Sequence, residues 1–336
     1  MKPESSSILA PFRQEEVYRP DSWPYADSLT FMQKVREGMP PVIVCCACNG
    51  GQQGKEYNEH IPETPEEIAD SVFAAYRAGA SMVHVHPRNR EKIYETAASV
   101  EDYYEVNKQI RLRCPDIIVN NTTGGSRQLS HEQIVARLDA RPEVASLNLT
   151  PDMGKFDLKE RPNQFLHPRP PVRYNGTWAV TYALVRLLAA EMKARGIKPE
   201  LEMYHPGGQS VVRYLISEGL LDRPYWIQTV MGYQTSSYPT VQNTIDLIRE
   251  LPEGTLWLCS GIGPFQLPLT TLATLIGGHV RVGLEDNIYY RRHEKAKSNA
   301  QLVERAVRIV HELNREVATP SQAREMLGLS SKPSTY

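Results

Sequence analysis

From Pro41 onward, short apolar runs alternate with longer amphipathic segments in single file, and this alternation constrains the fold more than any other feature of the chain. Parallel strands covered by helices on both faces read as unbroken Val, Ile and Leu runs, because neither face meets water. The runs at 42–48, 82–86, 117–120, 144–149, 200–203, 225–230, 256–259 and 280–284 are the strand candidates. Each precedes a helical segment. The first begins at Thr64, where Thr-Pro-Glu-Glu supplies an N-cap, a proline at N1 and first-turn acids, and it stops at Gly79. The others are read near 101–113, 133–139 with Ser130 as cap, 178–195, 211–217, 241–249, 269–275 and 300–313.

A length of 336 residues suits either two modest domains or one large closed architecture. Eight strand–helix pairs with no opposing block of strands predict an α/β chain folded as a (β/α)₈ TIM barrel over residues 41–329. An open Rossmann-type sheet is the alternative, but no G-x-G-x-x-G follows the first strand. Residues 1–40, polar and dotted with prolines, read as an N-terminal extension with one helical stretch at 28–38. The segment before the helix at 178 reads as a long loop rich in Pro and Arg, and 330–336 as a disordered tail.

Charge and composition exclude several classes. Thirty-eight Lys and Arg against 39 Asp and Glu leave a net charge of −1, with no basic surplus for a nucleic acid or an anionic membrane. No window approaches the roughly 18 apolar residues of a membrane span, and the first 19 residues lack the apolar core of a secretory signal. Five cysteines, an odd number, predict reduced thiols and a cytoplasmic setting.

In a barrel of this kind the functional groups lie at the C-terminal ends of the strands. His84 and His86 are two apart on the second strand, so both imidazoles face inward, a start on a divalent-metal site or a structural pair. Glu285 and Asp286 end the eighth strand; by alternation one points inward as a ligand while its neighbour serves as a base, unless both belong to a solvated turn. Arg281, four residues earlier, either orients a carboxylate or neutralises the cluster. Arg88 either reaches a substrate anion or forms a surface salt bridge. Thr122-Thr-Gly-Gly125 offers hydroxyls and N–H groups to an anion, or is a plain turn. Asn148 ends the fourth strand. His205 is a possible contact, with a structural role the simpler reading. Cys45, Cys46 and Cys48 lie within an apolar strand and read as packing thiols.

Together these residues carry a resemblance. The string 277–287 (GGHVRVGLEDN), followed by 298–303 (SNAQLV) and by the 318–329 segment, resembles the C-terminal part of the β-keto acid cleavage enzymes, of the 3-keto-5-aminohexanoate cleavage type. Thr64-Pro-Glu-Glu67, Val83-His-Val-His86, Thr122-Thr-Gly-Gly125, 145–149 (ASLNL), 196–200 (GIKPE) and Gly261-Ile-Gly263 follow the family in order. The resemblance implies a TIM barrel, tetrameric, holding one zinc per chain through His84, His86 and Glu285. It implies a reaction in which a β-keto acid and acetyl-CoA give acetoacetate and a shortened acyl-CoA. Asp286, held by Arg281, would remove the C2 proton; the enolate would attack the acetyl thioester, coenzyme A would migrate, and a retro-Claisen step would release acetoacetate. Thr122 and Asn148 fall at the family's substrate contacts.

Gln52 stands where the type member has a glutamate that meets the substrate's amino group, which argues against a cationic β-substituent. The segment 203–208 (MYHPGG) also departs from the commoner Phe-Asp-x-Gly-His form. Two other functions remain in view: a metal-dependent hydrolase or aldolase that ignores coenzyme A, and a non-catalytic keto-acid-binding protein. A coenzyme A partner requires local positive groups, for which Arg88, Arg281, Arg291 and Arg292 are the candidates.

Overall fold

The computed structural model describes residues 23–124 and 129–336. Eight parallel strands close on themselves: β1 (Val44–Ala47), β2 (Met82–Val85), β3 (Ile118–Asn121), β4 (Val144–Asn148), β7 (Lys198–Met203), β8 (Tyr225–Met231), β9 (Thr255–Gly261) and β10 (His279–Val282). Each pairs with the next in chain order, and β10 returns to β1 with Val44 opposite Val280. Helices α2 (Pro65–Arg77), α3 (Val100–Arg113), α4 (His131–Ala136), α5 (Tyr182–Ala194), α6 (Gly207–Ser217), α7 (Val241–Arg249), α8 (Gln266–Leu275) and α9 (Asn299–Glu312) alternate with them. The chain is therefore the (β/α)₈ barrel expected from the alternation.

Strand periodicity divides the core into two shells. Val83 and Val85 point outward against Ile68, Val72, Val106 and Ile110 of α2 and α3. Inward-pointing Ile43, Cys45, Met82, Ile118 and Leu258 pack with Trp226 and with Ala323 and Leu327 of α10 (Pro320–Leu327), which closes the N-terminal end of the barrel. The capping box read at Thr64 is present: its hydroxyl accepts from the Glu67 N–H at 3.2 Å, and Glu67 accepts from the Thr64 N–H. The glycine of the β10–β1 seam, Gly283, has φ 149°, and a Cβ there would stand 2.0 Å from the Ala47 carbonyl oxygen. Only glycine lets the last strand approach the first this closely.

Three segments depart from expectation. The Pro- and Arg-rich loop contains an antiparallel hairpin, β5 (Asp152–Leu158) and β6 (Val172–Trp178), with Phe156 opposite Tyr174 and Asp152 opposite Trp178. A second, smaller hairpin, β11 (Tyr289–Arg291) and β12 (Glu294–Lys295), follows the eighth barrel strand. The tail is docked and ordered: the Ser334 N–H donates to Glu143 at 2.9 Å, Arg111 donates to the Ser334 carbonyl, and the Tyr336 ring packs edge-on against Tyr104. In the N-terminal region the helix read at 28–38 is α1 (Ser28–Glu37), capped by Asp27. Gly125 and its neighbours to 128, like residues 1–22, lie outside the described residues.

Candidate active site and metal centre

The strand ends surround a cavity of about 660 Å³ at the C-terminal face of the barrel, large enough for a small-molecule substrate. At its floor His84 of β2 and His86, one residue past the strand's end, project inward. Their Nε2 atoms are 3.2 Å apart, and Glu285 Oε1 lies 3.7 Å from His84 Nε2 and 3.3 Å from His86 Nε2. Tetrahedral ligands at zinc bonds of about 2.1 Å stand roughly 3.4 Å apart, so three donors at these separations fit a single small divalent ion. Among the described residues this is the one cluster of His, Cys, Asp and Glu with that geometry.

The protonation states agree with ligation. Burial lowers the His84 imidazole to about 3, leaving it neutral with a lone pair free for a metal. Burial opposes ionisation of Glu285, but Arg281 and the two imidazoles outweigh it and hold the carboxyl well below the usual range. His84 Nδ1 and Glu285 Oε2 are buried without a hydrogen-bond partner. Asn49 fixes His86 from behind: its amide accepts from the His86 N–H at 3.0 Å and donates to the His86 carbonyl at 2.9 Å, replacing the ladder bonds where β1 has ended. Gly50, with φ 63°, makes room for the carboxylate ligand; a Cβ there would lie 2.8 Å from Glu285 Cγ.

Beside the three donors stands a charge-clamped carboxylate. Arg281 Nε and Nη2 each donate to Asp286 at 2.9 Å, Nη2 also donates to Glu285 at 2.6 Å, and Ser260 donates to Asp286 Oδ2 at 3.2 Å. Burial first, then repulsion by Glu285, raises the Asp286 carboxyl despite Arg281, which makes it a stronger base than a solvated aspartate. The expectation that only one of the two acids could point inward is thereby corrected. β10 ends at Val282, and the turn closed by the Asn287 N–H on the Gly283 carbonyl aims both side chains at Arg281. Strand alternation stops with the strand.

Gln52, Thr122 and Asn148 line the same cavity. Gln52 Nε2 is 3.5 Å from the Tyr233 hydroxyl, and the Thr122 hydroxyl accepts from the Gly124 N–H at 3.0 Å. Arg88 departs from both of its readings: it neither lines the cavity nor forms a surface salt bridge. Its buried guanidinium donates to the carbonyls of Asn49 and Gln53, stiffening the loop after β1. His205 accepts from the Gly207 N–H and stays off the cavity wall, and Cys45, Cys46 and Cys48 are buried packing thiols. Two acids escaped the sequence reading. Glu200 and Glu202 project inward from β7, with Oε1 atoms 3.9 and 3.7 Å from Arg281 Nη1, and Glu200 Oε1 is 4.0 Å from His84 Nδ1. Their Glu-x-Glu spacing on a strand is the same signal that singled out His84 and His86. Also unforeseen is an aromatic wall: Phe156 and Trp178 of the β5–β6 hairpin, 6.0 Å apart, with Tyr233 5.9 Å from Phe156.

The family model of beta-keto acid cleavage enzymes matches residues 41–329. This chain belongs to the β-keto acid cleavage enzyme family. It is 33% identical over 293 residues to the 3-keto-5-aminohexanoate cleavage enzyme of Fusobacterium nucleatum, covering 87% of this chain and 99% of the relative. It is 34% identical over 296 residues to the 3-oxoadipate:acetyl-CoA acetyltransferase of Cupriavidus necator, covering 87% and 96%. A solved structure, ObcA with oxaloacetate, superposes with a TM-score of 0.61 at 18% identity, over 81% of this chain and 68% of that one, a likeness of fold. As a β-keto acid cleavage enzyme the chain is a carbon–carbon bond-cleaving acyltransferase. No helix of the described residues is long and apolar enough to cross a membrane.

Proposed function

We propose that the chain is a zinc-dependent acyltransferase that converts a β-keto acid and acetyl-CoA to acetoacetate and a shortened acyl-CoA. The observation that carries the reading is the Arg281–Asp286 clamp set directly beside the His84, His86 and Glu285 donors at the floor of one cavity. Zinc, when bound, supplies a Lewis acid that stabilises negative charge on the keto and carboxylate oxygens of the substrate. The chain's own residues do the rest. Asp286 takes the C2 proton, and Arg281 keeps that carboxylate aimed and balances the charge of the acids around it. The resulting enolate carbon attacks the acetyl thioester; coenzyme A then transfers to the other carbonyl, and the retro-Claisen break leaves acetoacetate. Thr122 and Asn148 are assigned to orienting the substrate.

The β-substituent is assigned to the wall of Gln52, Phe156, Trp178 and Tyr233. An uncharged amide at Gln52 gives no counter-ion to a cationic substituent such as the amino group named for the Fusobacterium relative. The assembly is taken as a homotetramer, which sedimentation of the purified protein checks.

The test is direct. Purified protein contains about one zinc per chain and releases acetoacetate from acetyl-CoA and members of a β-keto acid panel. Metal-free protein that keeps full activity would exclude the zinc role. Asp286→Asn retains zinc and loses nearly all turnover, whereas unchanged turnover would remove Asp286 as the base. Activity that persists without acetyl-CoA would favour a hydrolase or aldolase.

A further inference from the structure

One feature of the molecule is unused by the chemistry above, a strip of cations running outward from the cavity mouth. Asn287, Ile288 and Tyr289 line the cavity, and the chain continues from them into the β11–β12 hairpin and α9. Residues 288–308 hold six cations, Arg291, Arg292, Lys295, Lys297, Arg305 and Arg308, against two acids, Glu294 and Glu304, in a chain whose net charge is −1. Three of the guanidinium groups gather on one tyrosine. Arg305 lies 4.5 Å and Arg291 5.4 Å from the Tyr290 ring centroid, and Arg308 donates to the Tyr290 hydroxyl at 3.2 Å. Arg305 also donates to the Tyr290 carbonyl.

Several surface arginines elsewhere are neutralised. Arg173 pairs with Asp157, Arg186 with Glu218, and Arg195 with both Asp139 and Glu191. None of the six cations of the strip has a carboxylate within ion-pair distance among the described residues. Like charges held this close repel, and burial together with Arg308 and Arg291 depresses the Arg305 guanidinium. Such a concentration of unpaired forks is stabilised by a polyanion, and arginine matches phosphate in geometry as well as charge. Phosphate is the group whose charge and geometry match such a strip, and the strip continues directly from the cavity wall.

We infer that the strip formed by Arg291, Arg292, Arg305 and Arg308 binds the phosphate groups of the coenzyme A thioester, whose acyl end enters the cavity past Tyr289. The inference rests on the proposed use of acetyl-CoA and assigns it a docking surface. Arg88 and Arg281, the other cations considered for this role, are consumed inside the barrel by backbone carbonyls and by carboxylates.

Calorimetric titration of the zinc-loaded protein with coenzyme A and with its 3′-dephospho form tests it. Arg291→Glu/Arg292→Glu weakens coenzyme A binding by about tenfold or more, as for loss of a hydrogen bond to a charged group. It raises the KM for acetyl-CoA while the KM for the keto acid holds. The dephospho form binds the native protein less tightly and is less affected by the substitutions. Equal coenzyme A affinity in native and variant protein overturns the site. If the double variant does not fold, Arg292→Gln, at an exposed position, is read by the same titration. Turnover of acetyl-CoA with an unchanged KM in the variants sinks this inference alone. A native protein that neither binds coenzyme A nor turns it over sinks the functional reading with it.

Discussion

Arg281 is the residue on which the site's electrostatics turn. One buried guanidinium faces Glu200, Glu202, Glu285 and Asp286, and its planar fork makes two parallel bonds to Asp286. Lysine keeps the charge but not the fork, so Arg281→Lys is expected to lower kcat at least about 100-fold while zinc content stays near one per chain, checked by turnover and metal analysis. Gly50→Ala acts on the ligand rather than the base. Its Cβ would displace Glu285, and zinc affinity in a competition with a chelator should fall roughly 10- to 100-fold. Burial lifts the Glu202 carboxyl to about 8, even with Arg281 nearby, against 4.5 for an unperturbed glutamate. Between those values the folded chain holds a proton that the unfolded chain releases, so this group's contribution to stability is lost as pH rises through 8. In chelator-treated protein, Glu202→Gln should flatten the fall in stability between pH 5 and 8 by at least about 1 kcal/mol, read by denaturant unfolding at each pH.

At the scale of elements, the β5–β6 hairpin is held by charge at its base and by polar tethers along its edge. Arg161, fully buried, bonds Glu56 at 2.7 Å and Glu63 at 2.8 Å, and Arg169 joins Glu56 at 3.2 Å. Gln234 pairs with both the N–H and the carbonyl of Lys155, as a strand neighbour would. Removing Arg161 leaves the buried Glu63 carboxylate without its counter-ion, so Arg161→Ala should cost roughly 3–5 kcal/mol in denaturant unfolding. Limited proteolysis should then cut first within 159–171, and cutting elsewhere would show that the cluster does not anchor the hairpin. This hairpin was illegible in the sequence because its strands, DMGKFDL and VRYNGTW, lack the apolar runs that mark the barrel strands. Its aromatic face becomes visible only once the register places Phe156 opposite Tyr174. The ordered tail was missed for a similar reason: its anchor, Glu143, lies 191 residues away from Ser334.

For the whole molecule, the donor set joins β2 to the turn after β10 across the intervening β1, so a bound ion straps the first strands to the last. A ligand that binds only the folded state stabilises it by mass action, about 2.7 kcal/mol at a hundredfold excess over Kd. Chelation should therefore lower the thermal midpoint by about 5 °C, recovered on adding zinc, and an unchanged midpoint would mean that the donors hold no ion. The chain by itself determined the barrel, because eight strand–helix alternations leave few other ways to bury both strand faces. It also determined the inward direction of His84 and His86, which follows from a period of two. Tertiary structure alone decided that Glu285 and Asp286 both meet Arg281, since the turn beyond β10 obeys no period. It likewise decided that Arg88 serves the loop after β1, that Glu200 and Glu202 complete the charge cluster, and that a hairpin walls the cavity with aromatic rings. Those outcomes depend on which distant segments the closed barrel brings within a few ångströms, and local pattern carries no record of that.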